Sequence, residues 1–144
     1  ATIPVTLKTV NHDLGVNQNV ASFVVPVGAT INMDGTAIMQ GLATVFIAQM
    51  SGIDLSLFQY IQVVLLAVAT SIGTAAVPSA GTITLIIILQ QFNLPLEAIG
   101  IILAVDRVLD MIRTSVNVTG DAAIACIVAK SENQLDENIF NSKT

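Results

Sequence analysis

The chain is 144 residues long, with 53% hydrophobic residues, 10% charged residues and a formal net charge of −5. Soluble domains carry about 25% charged residues, so this composition disfavours an ordinary soluble globular domain. Its five Lys and Arg are scattered, which argues against nucleic-acid binding, and the lone Cys126 excludes an internal disulfide or a Cys-only metal site.

The apolar content is mostly Ala, Val, Ile and Leu mixed with Ser, Thr and Gly, which suits helices packed closely in lipid. There is no Trp to mark an interfacial belt. Cys126 is read as a small apolar packing residue. The chain opens with "ATIPVTLK", in the middle of an apolar pattern and without a starting Met, and is expected to be the C-terminal part of a longer polypeptide. A polar loop from Lys8 to Asn19 follows, in which His12 is expected to be solvated. An apolar stretch then runs to Ile31, "NMDG" interrupts it, and a second runs from Thr36 to Met50. Neither half reaches the about 20 residues that cross a bilayer, but together they do. An apolar segment broken near its midpoint by Gly and polar residues reads as a discontinuous transmembrane helix. Asp34 stands in that break, the only ionisable side chain between Asp13 and Asp54.

From Asp54 to Glu97 no charged residue or His occurs. "YIQVVLLAVATSIG" and "TITLIIILQQF" flank the small, Pro-containing "TAAVPSAG". The block reads either as one long span kinked at Pro78 or as a hairpin that turns at "AAVPSAG". The hairpin is favoured, because Pro and Gly this close together terminate helices. "NLP" (Asn93 to Pro95) is a turn and helix start, Leu96 to Lys130 one long helical stretch, and "SENQLDENIFNSKT" a polar tail expected to fray.

Within that long stretch Asp106, Asp110, Arg113, Asn117 and Asp121 are spaced 4, 3, 4 and 4 residues apart. They fall within an arc of about 80° on one helix face; Thr114 borders it and Arg107 lies off it. Such a stripe can be the solvated face of an amphipathic helix, or hold a structural Asp110–Arg113 pair. The surrounding chain is too apolar for the first, and charged residues in a spanning helix mark pathways or sites. The pair leaves Asp106, Asn117 and Asp121 unexplained. Arg takes a carboxylate bidentately, Asp110 suits an ammonium group, and Thr114 with Asn117 can hold a second carboxylate or the amine. The set matches a zwitterion with an extra acid, such as aspartate or glutamate. Asp121 and Asp34, with neutral oxygens nearby, suit a hard cation such as Na⁺. The Asn117–Thr119 glycosylation sequon is dismissed as a chance match inside such a helix.

In "GATINMDGT", "ATSIGTAAVPSAG" and "LDMIRTSVNVTGD", in order and at fitting spacing, the chain resembles the glutamate/aspartate transporter family. These are sodium- or proton-coupled dicarboxylate and amino-acid symporters that include the excitatory amino acid transporters. "TIPVTLK" resembles the strand leaving that family's first hairpin. The resemblance implies an all-α membrane protein, part of an elevator-type transport domain. Residues 1–18 would end the first hairpin and its loop, and 19–50 hold the broken helix, Val20 to Met50. Residues 58–92 would form a re-entrant hairpin, Phe58 to Phe92, and 96–130 the last transmembrane helix, Leu96 to Lys130; 131–144 are a polar tail. It further implies that Arg113 holds the substrate side-chain carboxylate and Asp110 its α-amino group. Thr114, Asn117 and Thr36 would complete a polar ring, and the backbone at Val77 and Gly81 would close over it. Three sodium ions are implied: one near Asn32 and Asp34, one shared by Gly28, Asn32, Asn117 and Asp121, and one at backbone oxygens around Thr30, Met33, Ser71, Ile72 and Thr74. Retaining both Asp110 and Arg113 favours an acidic amino acid over a plain dicarboxylate or a neutral substrate.

Two departures from the family pattern stand out. The Ser-rich tip of the first hairpin would precede residue 1, as would the scaffold that makes the family's homotrimer, so the fragment alone is not expected to transport. Ala76 and Ser79 stand where many relatives have Gly, which is expected to stiffen the gate. The expected function is secondary active transport of aspartate or glutamate coupled to Na⁺ in the plasma membrane, as a multi-pass protein without enzymatic activity or cofactor. Proton coupling is the alternative, and an ion or proton channel using Asp34, Asp106, Asp110 and Asp121 a more distant one. No nucleophile–base pair supports an enzyme.

Overall fold

Three helix stops among the described residues are set by residues with left-handed backbone. Gly52 (φ 68°), Asn93 (φ 53°) and Asn133 (φ 54°) each follow a helix. In each case the next amide reaches back five residues: Ile53 N to Ala48 O (2.9 Å), Leu94 N to Leu89 O (2.9 Å) and Gln134 N to Ala129 O (2.7 Å). This closure satisfies the last carbonyls of a helix and suits Gly or Asn, which tolerate positive φ. A computed structural model describes residues 2–73 and 80–142; Thr74, Ala76, Val77, Pro78 and Ser79, singled out above, lie outside the described residues.

The elements in order are α1 (Ile3–Lys8), a π-helical turn (Thr9–Asp13), α2 (Gln18–Ile31), α3 (Asp34–Met50), α4 (Leu57–Ile72), α5 (Ala80–Gln91), a 3₁₀ turn (Leu96–Ala98), α6 (Ile99–Ser131) and α7 (Glu137–Asn141). The described residues form an all-α protein whose only β pairing is an isolated antiparallel bridge, Val16 with Leu135. The starts follow from local chemistry. Asn17 caps α2 by accepting from Asn19 N at 2.9 Å, and Ser56 and Gln59 form a reciprocal capping box on α4.

Several sequence expectations are corrected. "TIPVTLK" is helical rather than extended, because Pro4 sits in the first turn of α1, where its missing N–H has no helical partner to lose. The polar loop after it is shorter than expected, its first part being the π-helical turn. The break between α2 and α3 is confined to Asn32 and Met33. The tail is ordered as α7, because Asp136 accepts from Asn138 N (3.0 Å) and Ile139 N (3.3 Å), and Lys130 pairs with Glu137. Among the described residues no helix is long and apolar enough to cross a membrane. α2 to α5 have 14, 17, 16 and 12 residues, and the 33 residues of α6 are interrupted by Asp106, Arg107, Asp110, Arg113 and Asp121.

The chain divides into two compact units, Ala1–Asn32 with Asn117–Thr144, and Met33–Val116. The first has a core of Val10, Val16, Ala21, Val24, Val25, Ala125 and Ala129, with half-buried Cys126 and Leu135 against it. Its loops are clasped by backbone bonds from Asn17 N to Gln134 O (3.0 Å) and from Asp136 N to Gly15 O (2.8 Å). Exposed His12 stands beside this clasp. In the second unit α3, α4 and α5 pack against one another. The core there includes Met39, Ala43, Ile47, Leu85, Leu89 and Ile102.

Two glycines of α3 offer a contrast. A Cβ on Gly35 would stand 3.0 Å from the Cα and 3.1 Å from the carbonyl carbon of Arg113, whereas one on Gly41 meets nothing within 4 Å. Gly41→Ala is expected to stabilise the full-length protein by about 0.5–1 kcal/mol through reduced backbone entropy. Gly35→Ala is expected to destabilise it by about 1–3 kcal/mol, because backbone cannot yield as a side chain does. Thermal unfolding of the two variants checks the opposite signs.

Candidate functional site

The α6 stripe is shared between the two units, with Asp106, Asp110 and Arg113 in one and Asn117 and Asp121 in the other. In Met33–Val116, Arg113 Nη2 donates to Asp110 Oδ1 at 2.5 Å and lies 3.9 Å from Asp106 Oδ1. The i, i+3 and i, i+7 spacings place all three side chains on one helix face. Burial is uneven. The Arg113 side chain is 12% exposed and that of Asp110 54%. Arg113 Nη1 is buried and has no hydrogen-bond partner among the described residues. A buried, unpaired guanidinium N–H is costly, so this fork has one prong held and one available.

Two glycines frame that arginine. Gly35 lies against its backbone, and a Cβ on Gly81 would stand 3.2 Å from its Cζ. Thr36, the next residue on α3, is buried, with its hydroxyl 3.9 Å from Met33 Sδ. Thr114 is half-buried. Val77 lies outside the described residues.

In the other unit Gly28, Asn32, Asn117 and Asp121 come together. Asn32 Nδ2 donates to Asp121 Oδ1 at 2.9 Å and to the Asn117 carbonyl at 3.3 Å. Asp121 is only 3% exposed. A Cβ on Gly28 would stand 2.8 Å from Asp121 Cγ, and one on Gly120 2.5 Å from Asn32 Nδ2. Glycine is what lets backbone and carboxylate approach so closely. The set of one buried carboxylate, amide oxygens and backbone carbonyls is hard-oxygen chemistry that suits Na⁺ and other hard cations. Among the described residues no group of three or more His, Cys, Asp or Glu is arranged to hold a metal.

The other predicted residues are placed as follows. Asp34, read as part of the break, stands exposed in the first turn of α3 instead, where the helix N-terminus favours a carboxylate. Thr30 is exposed, and its hydroxyl lies 2.8 Å from Pro26 O. Ser71 is buried and donates to Val68 O at 2.9 Å, while Ile72 is exposed. Met33 separates α2 from α3, and Thr74 lies outside the described residues. Arg107 is exposed on α6.

Sequence reasoning missed Gln40. It is fully buried on α3, donates to Thr84 Oγ1 of α5, and has its Oε1 3.2 Å from Thr70 Oγ1 of α4. The signal was present: Gln40 is the only side-chain amide between Asn32 and Gln49.

Residues 1–131 match the model of the sodium:dicarboxylate symporter family. The chain belongs to that family. It is 51% identical over 128 residues to an excitatory amino acid transporter of Caenorhabditis elegans, covering 89% of this chain and 25% of that protein. It is 48% identical to excitatory amino acid transporter 3 of Mus musculus, covering 99% of this chain and 28% of the relative. Against excitatory amino acid transporter 2 of Mus musculus the identity is 49%, with 99% and 27% covered. The chain thus spans about a quarter of the length of the curated relatives it matches. The family resemblance read from the three motifs is confirmed.

Gly28→Ala is expected to push the Asp121 carboxylate off Asn32 and destabilise the full-length protein by about 1–3 kcal/mol, the range for a buried polar group that loses its partner. Chemical denaturation checks it.

Proposed function

We propose that the full-length protein is a plasma-membrane symporter that carries aspartate or glutamate inward with Na⁺, and that this chain supplies the substrate- and cation-holding part of its transport domain. The observation that carries the reading is the half-satisfied guanidinium of Arg113 beside the exposed carboxylate of Asp110, in a chain of the sodium:dicarboxylate symporter family. A substrate carboxylate completes the Arg113 fork, taking Nη1 and competing with Asp110 for Nη2. Asp110, released, takes the α-ammonium group of the same molecule. One acidic amino acid thus satisfies both charges, which a plain dicarboxylate or a neutral amino acid does not. Thr36 and Thr114 contribute hydroxyls, and backbone at Gly81 closes over the guanidinium.

The Gly28–Asn32–Asn117–Asp121 cluster is the best-supported Na⁺ position. A cation there neutralises the buried Asp121 carboxylate. α4 and α5 form the arms of a re-entrant hairpin that gates the site, and the loaded domain moves across the bilayer as an elevator against a scaffold that builds a homotrimer. Exposed Leu57, Phe58, Ile61, Val64 and Leu65 on α4 and Met111 on α6 support a lipid or protein surround rather than water. Proton coupling is the competing reading.

Uptake of radiolabelled aspartate by full-length protein in proteoliposomes, driven by a Na⁺ gradient or by a proton gradient alone, separates the two. Arg113→Cys is expected to abolish acidic-substrate uptake; retention of wild-type uptake refutes its role. Asp121→Asn is expected to raise the half-saturating Na⁺ concentration at least about tenfold, one lost charge contact of about 1.4 kcal/mol or more. An unchanged Na⁺ dependence removes this cluster from the cation path.

A further inference from the structure

The buried amide of Gln40 leads to the Arg113 guanidinium by two bonds. Its Nε2 donates to Thr84 Oγ1. That hydroxyl in turn donates to the Gly81 carbonyl at 3.2 Å, and Gly81 is the residue whose missing Cβ lets α5 lie against the guanidinium. On the other side Gln40 Oε1 faces Thr70 Oγ1 of α4 at 3.2 Å. Gln40 is 0% and Thr84 3% exposed, so these bonds are shielded from competing water. An amide is the neutral side chain that can donate to one arm and accept from the other at once. A purely apolar contact would let the first turn of α5 slide; a donor–acceptor chain sets its register.

We propose that Gln40 is a positioning residue that seats Gly81 over Arg113 through Thr84, and so sets how tightly the guanidinium is enclosed and how strongly it holds an acidic substrate. The substrate half of this statement rests on the proposed function; the enclosure half does not. Loss of the relay is expected to loosen the Gly81 turn, not to unfold α3.

The test uses full-length protein in lipid and two readouts. The first is the rate at which phenylglyoxal, an arginine-specific dicarbonyl, modifies Arg113 in the absence of substrate, mapped by mass spectrometry. The second is aspartate affinity by calorimetry in saturating Na⁺. Gln40→Met keeps volume and removes the amide; it is expected to speed modification and weaken aspartate binding, each about five- to tenfold, the effect of one buried hydrogen bond. Thr84→Val is expected to reproduce both changes, Thr84→Ser to stay within about twofold of wild type, and the Gln40→Met/Thr84→Val double variant to be no worse than either single one. Modification rates unchanged in both Gln40→Met and Thr84→Val overturn the proposal, as do fully multiplicative effects in the double variant. Should Gln40→Met not fold, Thr84→Val and Thr84→Ser carry the comparison alone. Faster modification in a protein whose wild type binds no aspartate upholds the positioning role and sinks the transport reading instead.

Discussion

A guanidinium that is nearly out of reach of water constrains everything built around it. The neighbours of Arg113 must supply hydrogen bonds to its guanidinium, or the fold bears the desolvation cost. Asp110 supplies one, 2.5 Å away, and Asp106 adds a weaker attraction. The remaining enclosure comes from backbone: Gly35 against the arginine's own main chain and Gly81 against its head group. Both approaches require the absence of a Cβ. Close packing against one residue therefore favours glycine at two others, on α3 and α5, far apart in sequence.

The same logic governs the second polar centre. Asp121 is buried on α6 and is held by Asn32, which stands where the chain leaves helical geometry after α2. Gly28 and Gly120 keep the approach short. In a chain with so few charges, each buried one is matched by amides, carbonyls and glycines rather than by an opposite charge alone. That arrangement leaves room for a ligand to enter the electrostatic balance, which a fully compensated ion pair does not.

Much of this was legible in the residues. The 4, 3, 4, 4 spacing placed the five polar side chains on one face of α6, because helical periodicity is a local property. The two short apolar stretches on either side of "NMDG" read as the halves of one broken helix, and the motifs around Arg113, Asp34 and Pro78 were specific enough to indicate the family. Three local readings failed. "TIPVTLK" carries β-branched residues that suit a strand, but Pro4 starts a helix equally well. Asp34 was expected inside the break, although a carboxylate also suits the first turn of α3. The tail looked too polar to order, yet Asp136 capping and the bridge from Leu135 to Val16 tie it down.

By itself the sequence determined helix content, the stripe, the turn at Asn93 to Pro95, and the chemistry that an arginine, a few carboxylates and an amide can offer. Only the tertiary structure decided which of those groups meet. It left Arg113 Nη1 without a partner among the described residues, brought Asn32 to Asp121 across 89 residues of chain, and tied Gln40 to α4 and α5. The physical reason is range. Periodicity and capping act within a few residues, whereas burial and hydrogen-bond partnership depend on which helices pack together, and no local pattern encodes that.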